Sequence, residues 1–149
     1  MEAVESAPAA LEAARANAAE YHIDNFSFRE ADVFDYLSGC VQARRKFQTV
    51  VLDPPAFAKS KTAIEGALRA YREINLKALK LLDTGGILVT CSCSYHISEA
   101  ALLETLAEAA LEAGKTLRIL ERRSQAQDHP VLLTVPETLY LKCLIVEAL

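Results

Sequence analysis

The chain has 149 residues, 52% hydrophobic and 24% charged, a balance that suits one folded domain with a core and excludes a disordered chain. The formal net charge of -4 argues against a general nucleic-acid binder, which is basic throughout. No apolar run approaches the ~20 residues of a membrane helix, no basic-then-apolar leader opens the chain, and four cysteines are too sparse for a secreted disulfide scaffold, so a cytoplasmic setting is expected.

Residues 6–20, SAPAALEAARANAAE, read as a helix, with Ser6 as N-cap, Pro8 in the first turn and alanine, the best helix former, throughout. Phe26 and Phe28 alternate as in a strand, and Asp32 opens a short helix around residues 33–37. FQTVVLDPP reads as an apolar strand of the fully buried, parallel kind. Residues 62–82 carry apolar markers at helical spacing (Ile64, Leu68, Tyr71, Leu76, Leu79, Leu82), and DTGG is expected to stop that helix. ILVTCSC is a second buried strand. Residues 98–113 form a helix capped by Ser98, with Gly114 just past its end, and TLRILERR and LYLKCLIVEAL are the last strands. Strand and helix alternate, which predicts an α/β sheet covered on both faces in a single domain over residues 1–149. The link between the last two strands, SQAQDHPVLLTVPET, has no helical pattern and favours an antiparallel return.

Charge is unevenly distributed. Residues 1–40 hold eight acids and two bases, residues 41–80 nine bases and three acids, and residues 81–149 nine acids and five bases. The basic third contains Asp53, so an electropositive patch beside that acid is expected, the alternative being solvated helix faces.

Two stretches carry the chemistry. In VVLDPPAFAKSK a strand runs into Asp53, Pro54 and Pro55; in ILVTCSCSYH the next strand runs into Cys91 and Cys93. Ligands of open α/β sheets bind at the carboxyl ends of strands, so a carboxylate and a thiol there are expected to face one crevice. The proline pair restricts the backbone, which either simply ends the strand or preorganises a loop for a flat substrate. Cys91 and Cys93 read as two small buried hydrophobes, as half of a metal site with His96, or as a nucleophile; of the two, Cys93 is nearer the strand end and better placed to react. His22 and His129 read as loop residues, and Tyr140 as a packing residue.

Taken together, LDPPAF, GGILVTCSCS and DHP…PE…YLK resemble the class I S-adenosylmethionine-dependent methyltransferases, in particular the bacterial large-subunit rRNA 5-methylcytosine methyltransferases that carry an N-terminal PUA domain. The resemblance covers nearly the whole chain. It implies a Rossmann-like α/β sheet, mostly parallel with an antiparallel C-terminal strand. It implies S-adenosyl-L-methionine as cofactor, held by Glu5 (ribose), Asp32 (adenine) and Asp53. Cys93, Asp53 and Pro54 are implied as catalytic, and Pro55, Phe57 and Lys59 as substrate-binding, with rRNA as partner and the cytosine attacked by Cys93. Cys91 receives no role.

The chain departs from that pattern at its start. The family's core opens with a strand and a glycine-rich loop; here the glycines are Gly39, Gly66, Gly85, Gly86 and Gly114, and none forms such a loop. The sheet is therefore expected to lack its first strand, with self-association through exposed sheet edges. Two alternatives stand beside the methyltransferase reading: an inactive remnant serving as an interaction domain, and a methyltransferase for another substrate, such as an exocyclic amine, needing no thiol.

Overall fold

The computed structural model describes residues 1–58 and 60–149. The elements run β1 (Glu2–Glu5), α1 (Pro8–Glu20), β2 (Ser27–Glu30), α2 (Val33–Gln42), β3 (Phe47–Leu52), α3 (Ile64–Leu81), β4 (Leu82–Ser92), α4 (Glu99–Ala113), β5 (Leu117–Arg123) and β6 (Lys142–Ala148), with short 3-10 turns at Lys61–Ala63 and Pro136–Thr138. The chain divides into two compact units, Met1–Ala43 and Arg44–Leu149.

In the first unit β1 and β2 pair in parallel, Glu2 opposite Ser27 and Glu5 opposite Glu30. Helix α1 begins at Pro8, behind an Ala7 N-cap that makes no side-chain cap bond. The expected Ser6 cap is not used: the Ala7 amide donates instead to Glu5 Oε1 at 2.8 Å, because a carboxylate at the end of β1 already reaches it. Asp32 caps α2, its Oδ1 accepting from the amides of Phe34 (2.8 Å) and Asp35 (3.2 Å). That helix runs five residues beyond the expected end at Leu37, because Cys40 continues the buried stripe that Leu37 begins and Gly39 does not break it.

The second unit is a four-stranded sheet in the order β3-β4-β6-β5. β3 and β4 are parallel, while β6 lies antiparallel between β4 and β5. The sheet is thus mixed rather than mostly parallel: the reversed strand is inserted, not added at an edge, so one strand turns two ladders antiparallel. The antiparallel return from β5 to β6 is as the helix-free link predicts.

Alternation sorts the side chains onto two faces. Leu52, Leu88, Thr90, Ser92, Leu144 and Val146 are all buried. The same core takes Tyr71, Ile74, Ala78 and Leu79 from α3 and Leu102, Leu106 and Ala109 from α4. The other face is more open, with Val51 63% exposed and Thr49 exposed. β3 is therefore not fully buried. It is an edge strand of this sheet, and an apolar sequence does not say which of its faces finds a partner.

DTGG does not end α3. Leu82 leaves the helix in extended geometry (φ -77°, ψ 139°) and pairs at once with Phe47 in the β3 ladder. The ladder resumes at Thr49 opposite Ile87, so residues 83–86 form an excursion within β4. Gly85 turns there at φ 78°, and Gly86 sits so close that a Cβ on it would lie 2.8 Å from the Asp83 carbonyl oxygen. Helix α4 follows expectation at both ends: Ser98 Oγ accepts from the Ala101 amide, and Gly114 closes it in the left-handed region. No helix among the described residues is long and apolar enough to cross a membrane.

Candidate active site at the carboxyl ends of β3 and β4

β3 and β4 run side by side, with Leu52 opposite Thr90, so the residues that follow, Asp53 and Cys93, leave neighbouring parallel strands at the same edge. Asp53 and Pro55 are exposed, and Pro54 and Cys93 partly buried. The Cys93 Sγ lies 4.0 Å from the Pro54 carbonyl oxygen, a weak thiol contact that joins the two loops.

A buried hydroxyl cluster holds these loops together. The Ser92 hydroxyl donates to Tyr71 Oη at 2.9 Å, and Tyr71 Oη lies 3.1 Å from Ser94 Oγ. The Ala58 amide, in the loop after Asp53, donates to that same Ser94 Oγ at 3.2 Å. Tyr71 is fully buried on α3 and also packs against Phe57, ring centroids 4.8 Å apart. Phe57, expected to meet substrate, thus spends a ring face on anchoring its loop. The backbone around Asp53 and Cys93 is fixed from beneath by one tyrosine.

The two cysteines of CSC have different surroundings. Cys91 is buried, directly opposite Cys143 on β6. Burial first, then the Cys143 thiol and the charges of Asp53 and Cys93, push its thiol up to about 12. A thiol so placed stays neutral and unreactive. Cys93, past the strand end, has the partial exposure a nucleophile requires. Lys142, which opens β6 opposite Ser92, is only 9% exposed; its Nζ donates to the carbonyls of Ser94 (2.7 Å) and Tyr140 (2.8 Å). Burial pulls its ammonium below the usual lysine range, partly offset by Cys93.

The first unit carries the other two acids. Glu5 ends β1 and Asp32 follows β2, so both lie at the carboxyl edge of that parallel pair. The Ala7 amide, with help from Ser6, holds the exposed Glu5 carboxyl below the usual range, leaving an ionised acceptor. Asp32 commits Oδ1 to the α2 cap, leaving Oδ2 for a ligand. Lys59 lies outside the described residues.

The electropositive patch expected beside Asp53 does not form from α3. Arg69 pairs with Glu65, Arg72 with Glu108 and Glu112, and Lys77 with Glu73, which balances three of the four bases of the helix; the fourth, Lys80, is at its C-terminal end. Lys46, at the other end of β3, donates to the carbonyls of Lys80 and Leu82. Among the described residues no cluster of three or more His, Cys, Asp or Glu side chains could hold a metal ion.

The family described as Methyltransferase domain matches residues 2–132. The chain belongs to that family. This methyltransferase domain is 44% identical over 147 residues to "Ribosomal RNA large subunit methyltransferase I" of Aeromonas salmonicida (strain A449), covering 97% of the chain and 37% of that protein. It spans little more than a third of the curated relatives it matches. Among solved structures it resembles SMU.776 complexed with SAH, with TM-score 0.83 and 18% identity over 98% of this chain and 38% of that one. NSun6 from Pyrococcus horikoshii with SFG gives TM-score 0.70 and 16% identity over 98% of this chain and 40% of that one. The fold of the methyltransferase domain is accordingly the Rossmann-like α/β fold.

Sequence reasoning passed over two members of the site. Tyr71 was legible only as a helix marker, since nothing in a sequence shows that its hydroxyl reaches two serines of another element. Lys142 was more accessible: in LKCLIVEA it falls in step with Leu144, Val146 and Ala148, and a lysine on a buried face is rare without a reason.

Proposed function

We propose that the chain is the catalytic part of an S-adenosylmethionine-dependent rRNA methyltransferase, its two units belonging to one catalytic domain, that methylates carbon 5 of a cytosine through a covalent adduct with Cys93. The observation that carries this reading is the meeting of the two loops: Asp53 and Cys93 leave adjacent parallel strands, and the thiol lies 4.0 Å from the Pro54 carbonyl. The Aeromonas relative named as an rRNA methyltransferase supports the substrate class.

Cytosine carbon 5 is a weak nucleophile. The Cys93 thiolate forms a bond to carbon 6 as the π pair of the 5,6 double bond moves toward carbon 5, which becomes nucleophilic; once carbon 5 has taken the methyl group, a base removes its proton, the double bond re-forms and the thiolate leaves carbon 6. Asp53 accepts from the amino edge of the cytosine and holds the ring nitrogen's proton, stabilising the charge that develops on the ring. Pro54 and Pro55 limit the motion of that carboxylate, so orientation is set before the base arrives. Phe57 lines the substrate side of the loop it anchors, and Lys59 is assigned to an RNA phosphate. The target base leaves its stack to reach such a site, at a cost of a few kcal/mol.

S-adenosyl-L-methionine supplies the methyl group as a sulfonium. The residues present fit it. Glu5 offers an ionised, exposed carboxylate to the ribose diol, and the remaining Asp32 oxygen accepts from the adenine amine. The setting proposed is cytoplasmic.

Trapping tests this reading. The chain, alone and grafted in place of the matching segment of the Aeromonas relative, is incubated with S-adenosylmethionine and an rRNA segment carrying 5-fluorocytosine. A stalled protein–RNA adduct that survives denaturing electrophoresis is expected, because fluorine at carbon 5 cannot leave as a proton does. Methyl transfer to ordinary RNA by the graft without any trapped adduct would instead favour the exocyclic-amine reading.

A further inference from the structure

We propose that Lys142 is a positioning residue for Cys93, clamping the backbone beside the thiol and supplying the cation against which the thiolate forms. The inference rests on the reading of Cys93 as the nucleophile. It begins with an anomaly of β6, whose buried face is Lys142, Leu144, Val146 and Ala148. An apolar residue would complete that row at no electrostatic cost, whereas a buried ammonium loses much of its hydration.

The ammonium is incompletely compensated. It donates to the carbonyls of Ser94 and Tyr140, which leaves one of its three N–H groups over. Among the described residues no carboxylate lies within ion-pairing distance of it. The group next to the Ser94 carbonyl that holds it is Cys93, neutral as a thiol and negative as a thiolate. Deprotonation of Cys93 therefore supplies the counter-charge that the fold otherwise withholds. The Ser94 carbonyl is one residue from the thiol, so the same bond also limits where Cys93 can point.

The other charged and titratable groups around the thiol do not replace Lys142. Asp53, at the end of β3, is an anion and opposes thiolate formation. Cys91 on β4 is buried and stays neutral, and Cys143 on β6 faces it. Tyr71 on α3 spends its hydroxyl on Ser92 and Ser94, on either side of the thiol. Arg123 on β5 is opposite Cys143 but is exposed and paired with Glu121. His96, in the turn after the thiol, packs edge-on against Tyr95.

The test uses the chain with Cys40, Cys91 and Cys143 replaced by alanine, so that Cys93 is the sole thiol. Alkylation by iodoacetamide is followed by mass from pH 6 to 10 in this parent and in its Lys142→Met, Lys142→Gln and Lys142→Arg variants. The Met and Gln variants are expected to move the midpoint of the rate profile up by about one pH unit and to slow alkylation at pH 7 about tenfold, while the Arg variant stays near the parent. Gln keeps a donor for the Ser94 carbonyl, so it decides the matter if the Met variant does not fold. An unchanged midpoint in a folded neutral variant overturns the proposal. Alkylation reads the thiol alone: a shifted midpoint supports the role of Lys142 even if no RNA adduct forms, and that second result overturns only the nucleophile reading.

Discussion

Two cysteines a single residue apart are given opposite fates by where the strand ends. Cys91 still belongs to the β4–β6 ladder and is buried against Cys143; Cys93 lies beyond the last paired residue and meets the Pro54 carbonyl. In the grafted full-length protein, Cys93→Ala is expected to abolish the trapped RNA adduct and methyl transfer. Cys91→Ala is expected to keep both and to lower stability by about 1 kcal/mol through lost packing. Radiolabel transfer and urea melts measure the two effects. The pH dependence of stability separates the cysteines further. The Cys91 thiol is raised from 9.0 to about 12 in the fold. The native state thus favours the neutral thiol, and the unfolded chain loses its proton first. The stability tied to the neutral thiol is present below pH 9 and is lost as pH rises from there toward 12. Urea midpoints should fall over that window, and fall less in Cys91→Ala.

At the scale of elements, the site depends on α3 and on the excursion inside β4. Tyr71 is the joint between helix and loops, with a hydroxyl shared by Ser92 and Ser94. Tyr71→Phe keeps the ring that packs on Phe57 but leaves buried hydroxyls short of a partner, with an expected loss of about 1–3 kcal/mol. Thermal melts measure that loss, and faster exchange of the Ala58 amide would report the loosened loop. Gly86 is the second point of dependence. Its missing Cβ lets β4 return to register after Gly85, and Gly86→Ala places a methyl against the Asp83 carbonyl, with Leu82 and the Gln48 carbonyl nearby. Destabilisation of about 1–3 kcal/mol is expected from that overpacking. A Gly86→Ala chain with an unchanged melting temperature would show that the excursion yields freely.

For the whole molecule, the two units differ in how much holds them together. In Met1–Ala43 only Leu11, Leu37 and Cys40 are buried, beneath two four-residue strands. Chains of about 40 residues seldom stabilise a core of that size alone. Arg44–Leu149 has four strands and a continuous apolar layer under α3 and α4. β3 is an edge of that sheet, and an unpaired edge recruits partners. Hydrogen exchange is expected to be faster across residues 1–43 than across β4 and β6, and light scattering is expected to show self-association at high concentration. A monomer with uniformly strong protection through residues 1–43 would contradict both expectations.

The local pattern alone determined the alternation of helices and strands, the cap at Ser98, the glycine stop at Gly114 and the placing of Asp53 and Cys93 at strand ends, because propensity, capping and apolar period act over a few residues. The same pattern misread Ser6, DTGG and the burial of β3. Two of those depend on tertiary pairing, Phe47 for Leu82 and the edge position of β3 for Val51; at Ser6 the competitor is local, the Glu5 carboxylate taking the Ala7 amide two residues on. The charge blocks were legible, but the pairing of α3 with α4, which spends Arg72 on Glu108 and Glu112, was not. Tertiary structure alone inserted β6 between β4 and β5. That insertion brings Lys142 opposite Ser92, about fifty residues away in sequence, and so makes a lysine in the last strand a neighbour of the thiol at the end of an earlier one. A carboxylate and a thiol can be read from their strands; the cation on the far side of the thiol exists only once the strands have paired.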